Sequence, residues 1–558
     1  MSILTRAIIF TSVLTPIAHA GGGPMNVLVL YNGEIPDALD VAQYYADQRS
    51  IPDAHLCALA GIGPDVTQVS FEDYQRLIHD PLDACLDGLP QPDEIDYLVL
   101  IRGLPYRVQA GDFTTSLSAM LQIHHTTSPR SGQPLAGQPQ PRSGAFYAWV
   151  DNPLFIGGRL SDNDTTGTFA NNGAYVTSTQ VAKIPAQVES FTRDQDLART
   201  EWDFSNNLFV VTRLDGFDFN DARDLVDRAV AADGTFPGAD FLCMTSADAA
   251  RGVRDADCKY AIGKLESYGV NAKWLDAFDG ALAGESVIAY FTGAAGLTDA
   301  IDGQAYAPGA LACNLTSFGA TPPNFFCSAD GTSCPENESQ TAIARFVRAG
   351  ATGAHGTVNE PLNNSFPNAG TLLMYALGYN LGESFFFNQP VIYWQNLVVG
   401  DPLTTPFAER PTITTDAMDP QPVNRPVALT GSHPDGVREV RLYQDGVLLD
   451  TAEGDTLLWT PSGAPGDVAS LMVVAIAADV SLEIDDWPGE ATTVRARTQG
   501  WASVEVTLGE PVADETPTNR GEGPRSGCQS VPVGTDAWLT AILACVLVSI
   551  RRRDQVGT

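Results

Sequence analysis

Two unbroken apolar runs near the amino end, MNVLVLYN (25–32) and IDYLVLIRG (95–103), narrow the fold more than any other feature of the chain. A run without polar alternation reads as a strand covered on both faces, as parallel sheets require. Between them, PDALDVAQYYADQR (36–49) has helical spacing. Leu39, Ala42 and Ala46 share a face with Tyr45 beside them, and Pro36 suits a first turn. His55 to Leu59 reads as a short strand. Ser70-Phe71-Glu72-Asp73 resembles a capping box and opens a helix carrying Leu77, Ile78, Leu82 and Leu86. Strand, helix, strand, helix, strand is the rhythm of a parallel α/β sheet.

The rhythm breaks at about 110–200, a Gly-, Thr-, Asn- and Gln-rich stretch that reads as an irregular insertion or cap. It resumes with a strand at 206–216 (NNLFVVTRLDG) and a helix at about 218–232. Further strands are expected at 239–243, 286–291, 309–313 and 351–355, with a helix at about 339–349 and a close at VVGDPL (398–403). The α/β unit therefore spans 25–410. Residues 411–508 lack helical periodicity. VREVRLYQDGVLLDT (437–451) contains an Asp445-Gly446 hairpin signal, and SLMVVAIAADV (470–480) is a further strand. This stretch is expected to form an immunoglobulin-like β-sandwich. Residues 509–527 are a flexible stalk rich in Pro, Glu, Thr and Gly.

Both ends carry targeting patterns. Residues 1–20 combine Arg6, an apolar stretch and Ala18-His19-Ala20, which together read as a signal peptide cut after Ala20. At the other end, Cys528 precedes an apolar run at 537–550 and then Arg551, Arg552 and Arg553, an order that puts the tip inside and the body outside. The run is short for a full span. This tail (528–558) resembles myxobacterial sorting tails. The resemblance implies a sorting protease as partner, cutting near Cys528, and Cys528 as a site of lipid modification. A plain tail anchor is the alternative. The expected location is the cell envelope, outer surface, anchored in the membrane through 537–550.

At 558 residues the chain is long enough for several domains, and 44 % apolar against 18 % charged content fits a globular body. A formal charge of −35 argues against nucleic acid as a partner, since phosphate binding needs a basic stripe. Nine cysteines in an exported chain are expected to pair, with Cys57–Cys85, Cys243–Cys258 and Cys327–Cys334 as sequence-local candidates. That assignment leaves Cys313 over in the body.

Six segments in order resemble a family of exported bacterial proteins associated with exosortase-type sorting systems, for which no activity is established. They are 27–52, 95–108, 210–216, 307–320, 350–361 and 393–403. A more distant resemblance is to gingipain-type, caspase-like cysteine peptidases, in which an α/β sheet precedes an immunoglobulin-like domain. It rests on Tyr290 to Gly296, Leu311-Ala312-Cys313-Asn314, Val358-Asn359-Glu360-Pro361 and Gly400-Asp401-Pro402. The resemblance implies a caspase/gingipain-like fold with Cys313 at the nucleophile position. The position of the family's catalytic histidine holds Ala294 or Ala295, and alanine takes no proton. A thiol needs a base to attack a carbonyl. His355, at the end of the next strand, could supply one.

Polar residues after other strands, Arg102, Arg213, Asp215, Asn359 and Glu360, are candidates for a ligand pocket, with arginine as a bidentate donor. Struts fixing loop geometry are the alternative reading. Asp162 and Asp164, in Asp162-Asn163-Asp164-Thr165-Thr166-Gly167, form a weak calcium candidate that lacks the distal Glu of a full loop. The histidines and cysteines show no zinc spacing, and no cofactor motif is present. The chain reads first as a non-peptidase surface protein that binds a ligand or serves envelope assembly, and second as a divergent cysteine peptidase using Cys313 and His355.

Overall fold

The computed structural model describes residues 21–110, 113–124, 208–278, 285–297, 301–326, 340–478 and 498–512, with short stretches at 150–152, 155, 187–189, 480–484 and 492–496. The signal segment, most of the stalk, Asp162, Asp164, Cys327, Cys334, Cys528 and the apolar run 537–550 lie outside them. Among the described residues no helix is long and apolar enough to cross a membrane.

A ten-stranded sheet forms the body. In chain order its strands are β1 (Val27–Asn32), β2 (Leu56–Leu59), β3 (Tyr97–Ile101), β4 (Val210–Leu214), β5 (Asp240–Met244), β6 (Ala272–Leu275), β7 (Ser286–Thr292), β8 (Ala305–Asn314), β9 (Gly353–Thr357) and β10 (Asn396–Gly400). They lie side by side as β6-β5-β7-β8-β9-β10-β4-β3-β1-β2. Pairs from β6 to β9 and from β4 to β2 are parallel, whereas β10 runs antiparallel to β9. Val399 of β10 lies opposite Arg213 of β4. Every residue of β3, β4, β9 and β10 is buried. That two-faced burial explains why the sequence shows apolar runs rather than alternation.

Helices cover the faces. α1 (Pro36–Arg49) starts on Pro36 and ends on Ser50 in the left-handed region. Its buried face is Ala38, Val41, Ala42, Tyr45, Ala46 and Arg49, so Leu39 sits on the rim instead of in the expected face. The second helix starts where Ser70 Oγ accepts from Asp73 N–H. It runs as α2 (Phe71–Tyr74), a π turn (Gln75–His79) and α3 (Asp80–Asp87). In the stretch expected to be irregular, Phe113–Ser116 is a strand and α4 (Leu117–Gln122) a buried helix capped by Ser116. α5 (Phe219–Ala232) is capped by Asp218, whose carboxylate accepts from Asn220 and Asp221 N–H. Then follow α6 (Asp255–Ser267), α7 (Ile343–Arg348), α8 (Gly370–Ala376) and α9 (Leu381–Phe386).

Residues 412–509 form two further sheets, and two more of their strands, Val480–Ile484 and Thr492–Ala496, pair with Gln187–Glu189 in a third. Of the first two, one has three strands, Thr412–Thr415, Val427–Ser432 and Thr456–Trp459. The other has five: Gln421–Pro422, Gln499–Gly509, Val468–Ala477, Val437–Gln444 and Val447–Glu453. Val427, Leu429, Leu442, Leu457, Trp459 and Val473 meet in one core between them. The Asp445-Gly446 hairpin is made as read, with both residues at positive φ (52° and 78°).

Of the cysteine pairs, Cys57–Cys85 is a disulfide. Cys243 and Cys258 are not bonded; both are buried free thiols, and Cys313 is also free.

Candidate functional site

Parallel pairing sets Cys313 of β8 directly opposite His355 of β9. Side chains in register share a face, so the sulfur and the imidazole meet: Sγ lies 3.8 Å from Nδ1. The other ring nitrogen, Nε2, is 3.0 Å from Asn396 Oδ1 on β10. Asn396 Nδ2 donates to the Val391 carbonyl, which fixes Oδ1 toward the ring. Nε2 then carries the proton, and Nδ1 presents its lone pair to the thiol. Thiol, imidazole and amide thus stand in a line across three adjacent strands.

The line is sealed. Cys313 and His355 both have 0 % exposure. β9 reads Gly-Ala-His-Gly-Thr, and its small residues let neighbours close in. A Cβ on Gly356 would meet Ile343 Cγ2 at 2.5 Å, and one on Gly353 would meet Leu381 Cδ1 at 2.5 Å. Phe366 and Phe385 lie against the imidazole, with ring centres 5.1 and 6.2 Å away. Burial pushes the His355 pKa down to about 3, and the nearby Arg254 charge pushes the same way. The ring is therefore neutral at ordinary pH.

Arg254, just before α6, completes the cluster. Its Nη1 donates to Cys313 Sγ at 3.0 Å, and its Nη2 donates to the carbonyls of Thr292 (2.6 Å) and Cys313 (2.9 Å). The guanidinium caps the ends of β7 and β8. Burial pushes the Cys313 thiol up, and Arg254 partly offsets that by favouring the thiolate. Ala294 is buried; its N–H donates to Asn314 Oδ1 and its carbonyl accepts from Asn314 Nδ2, each at 2.8 Å. Ala295 is half-buried, and its carbonyl accepts from Thr341 N–H.

Arg102, Arg213 and Asp215 come together after β3 and along β4. Asp215 Oδ1 accepts from Arg102 Nη1 at 2.9 Å, and Oδ2 from Arg213 Nη2 at 3.0 Å. The remaining donors reach backbone: Arg102 to the carbonyls of Gly216 and Phe325, Arg213 to those of Leu104 and Pro105. Tyr106 stacks on Phe325 and lies under the Arg213 guanidinium. These donors are spent on the protein itself, which is the geometry of loop struts. Asn359 is half-buried and Glu360 exposed on the turn after β9, and neither joins the arginines.

Sequence spacing offered no metal pattern, yet His79, Asp83 and His124 converge, with one ligand atom of each lying within 4.8 Å of the others. His79 and Asp83 are four apart on a helix, a signal visible in the chain; His124 is distant in sequence and only the fold supplies it. A cleft of about 350 Å³ between the two domains, lined by Phe236, Leu377, Phe407, His433 and Ala477, holds none of the expected site residues. Compared with known protein families and with curated proteins, the chain matches no family model and no curated protein.

Proposed function

We propose that the chain is an exported, membrane-anchored envelope protein whose α/β domain has a caspase/gingipain-like arrangement and whose β domain is immunoglobulin-like. In this reading it works as a ligand-holding or assembly scaffold and not as a peptidase. The carrying observation is the seal on Cys313: a nucleophile with no exposed surface, capped by Arg254, cannot reach a peptide carbonyl. The test is labelling of the native chain with an electrophilic peptidyl probe. No label on Cys313 is expected under native conditions, with full labelling after denaturation. Native labelling of Cys313 that disappears in His355→Ala would overturn the scaffold reading.

One observation favours a second reading, a latent cysteine peptidase. Cys313, His355 and Asn396 already have the order of nucleophile, base and orienting group, at 3.8 and 3.0 Å. Activation would require the segment carrying Phe366 and Pro367 to withdraw from the imidazole and from Arg254. Native labelling that appears only after limited proteolysis supports this reading.

A further inference from the structure

The cluster of His79, Asp83 and His124 lies away from Cys313, and its geometry points to a binding site for a divalent first-row transition cation of the zinc class. His79 closes the π turn and Asp83 follows one helical turn later. π turns are rare and concentrate at functional sites, because the extra residue re-aims the side chains around it. His124 stands two residues beyond the end of α4. The two imidazole rings lie with centres 4.3 Å apart. Both present a nitrogen to one carboxylate: His124 Nε2 is 2.8 Å from Asp83 Oδ1, and His79 Nδ1 is 3.5 Å from Asp83 Oδ2. His79 Nδ1 is also 3.2 Å from Asp80 Oδ1.

Metal geometry matches these spacings. With bonds of about 2.0–2.2 Å, tetrahedral ligands stand about 3.4 Å apart. The three atoms need little movement to close on an ion. Two imidazoles and one carboxylate suit zinc, iron(II) or cobalt(II) and are too nitrogen-rich for calcium. Three protein ligands leave a position for water or substrate, as in catalytic rather than structural zinc sites. The shell is graded to fit: the His124 side chain is fully buried, that of His79 is 14 % exposed and that of Asp83 is 46 % exposed. The inner side is apolar, with Tyr74 edge-on to His79 and Phe209 against His124. Such packing fixes ring orientation before an ion arrives. The solvent side is the carboxylate, through which an ion would enter.

The experiment uses the purified, tag-free full-length chain, stripped with chelator and titrated with zinc against a chromophoric competitor. Cobalt(II) is titrated in parallel and read by visible absorption. A single tight equivalent is expected, with a cobalt spectrum of low coordination number. Asp83→Asn and His79→Gln should each weaken binding at least ~10-fold, and zinc should raise the melting temperature of the parent chain more than that of either variant. Both positions are partly exposed, so the chelated variants should melt like the chelated parent, which separates lost ligation from lost folding. His124→Gln provides a third arm. Absence of a tight equivalent, or binding unchanged in all three variants, would overturn the site and leave the cluster as imidazole–aspartate hydrogen bonds.

Discussion

Asp215 stands between two arginines at 0 % exposure, and Arg213 is equally enclosed. Buried charge is tolerable only when its partners stay in place. Asp215→Asn keeps the shape and removes the anion, leaving two guanidiniums facing one another. The expected cost is about 3–5 kcal/mol, read as a lower denaturant midpoint; a loss under ~1 kcal/mol would show that backbone carbonyls alone hold the arginines. His355 gives a second prediction with a definite sign. Its folded pKa of about 3 lies below the ordinary 6.5. As pH falls the unfolded chain therefore takes the proton first. The stability tied to this residue is complete above about pH 6.5 and is lost toward pH 3, by at most about 1.4 kcal/mol per pH unit. Denaturation curves between about pH 7.5 and 4.5 should show a shallower pH slope in His355→Gln than in the parent. Equal slopes would mean that the imidazole takes its proton in the fold as readily as in the unfolded chain, contrary to the nearby Arg254 charge and to the ring's enclosure by Phe366 and Phe385.

At the scale of elements, disulfide Cys57–Cys85 ties edge strand β2 to α3, closing a loop with a sequence separation of 28. Loop closure of that length contributes about 3–4 kcal/mol through the unfolded chain. The Cys57→Ala, Cys85→Ala double variant should unfold at correspondingly lower denaturant. Its second consequence is local: β2 is at the sheet edge, so faster amide exchange over Leu56–Leu59 than over β3 is expected. The elements also show what could be read from the chain. β1, β3 and β4 announced themselves because burial on both faces leaves runs that are mostly apolar, with Asn32, Thr212 and Arg213 as the buried exceptions. α6 and β6 did not, since the Lys- and Asp-bearing α6 shows little amphipathic contrast and β6 is only half-buried. α8 and α9 are buried nearly all round and so lack the polar face by which a helix is recognised. Cys313 and His355 were legible as a candidate pair because each was read near the end of one of two neighbouring strands; the fold runs β9 two residues further, to Thr357, and puts His355 at its centre. Arg254 was not, since nothing near it in sequence tells of a sulfur 59 residues away. Gly400-Asp401-Pro402 read as the close of the domain, and the fold gives Asp401 a structural reason: it accepts from Arg49 Nε at 2.6 Å and from Tyr45 Oη at 2.7 Å, pinning α1 to the end of β10.

At the scale of the molecule, the β domain is built against the α/β domain and not merely strung behind it. The strand Val468–Ala477 alternates in burial over its first half and is buried throughout its second. The change marks where its outer face stops meeting water and covers Met25, together with Tyr443, Val474 and Ile476. Polar contacts ring this patch. Tyr443 Oη donates to Glu94 at 2.9 Å, and Gln499 Nε2 donates to Asn26 Oδ1 at 3.2 Å. Arg410, in the connection itself, donates to Asp233 at 3.1 Å and to the Gln499 carbonyl at 2.9 Å. An apolar centre with a satisfied polar rim is the anatomy of a stable interface. The two domains should therefore melt in one calorimetric transition. Met25→Asp places a carboxylate among Tyr443, Val474 and Ile476, where it would have to shed its water against apolar side chains. The expected result is a split into two transitions, with the β domain retaining its own core around Val427, Leu442 and Val473. If the variant still melts in one step at the parent temperature, the rim carries the coupling, and Arg410→Ala is then the change that should divide the transition.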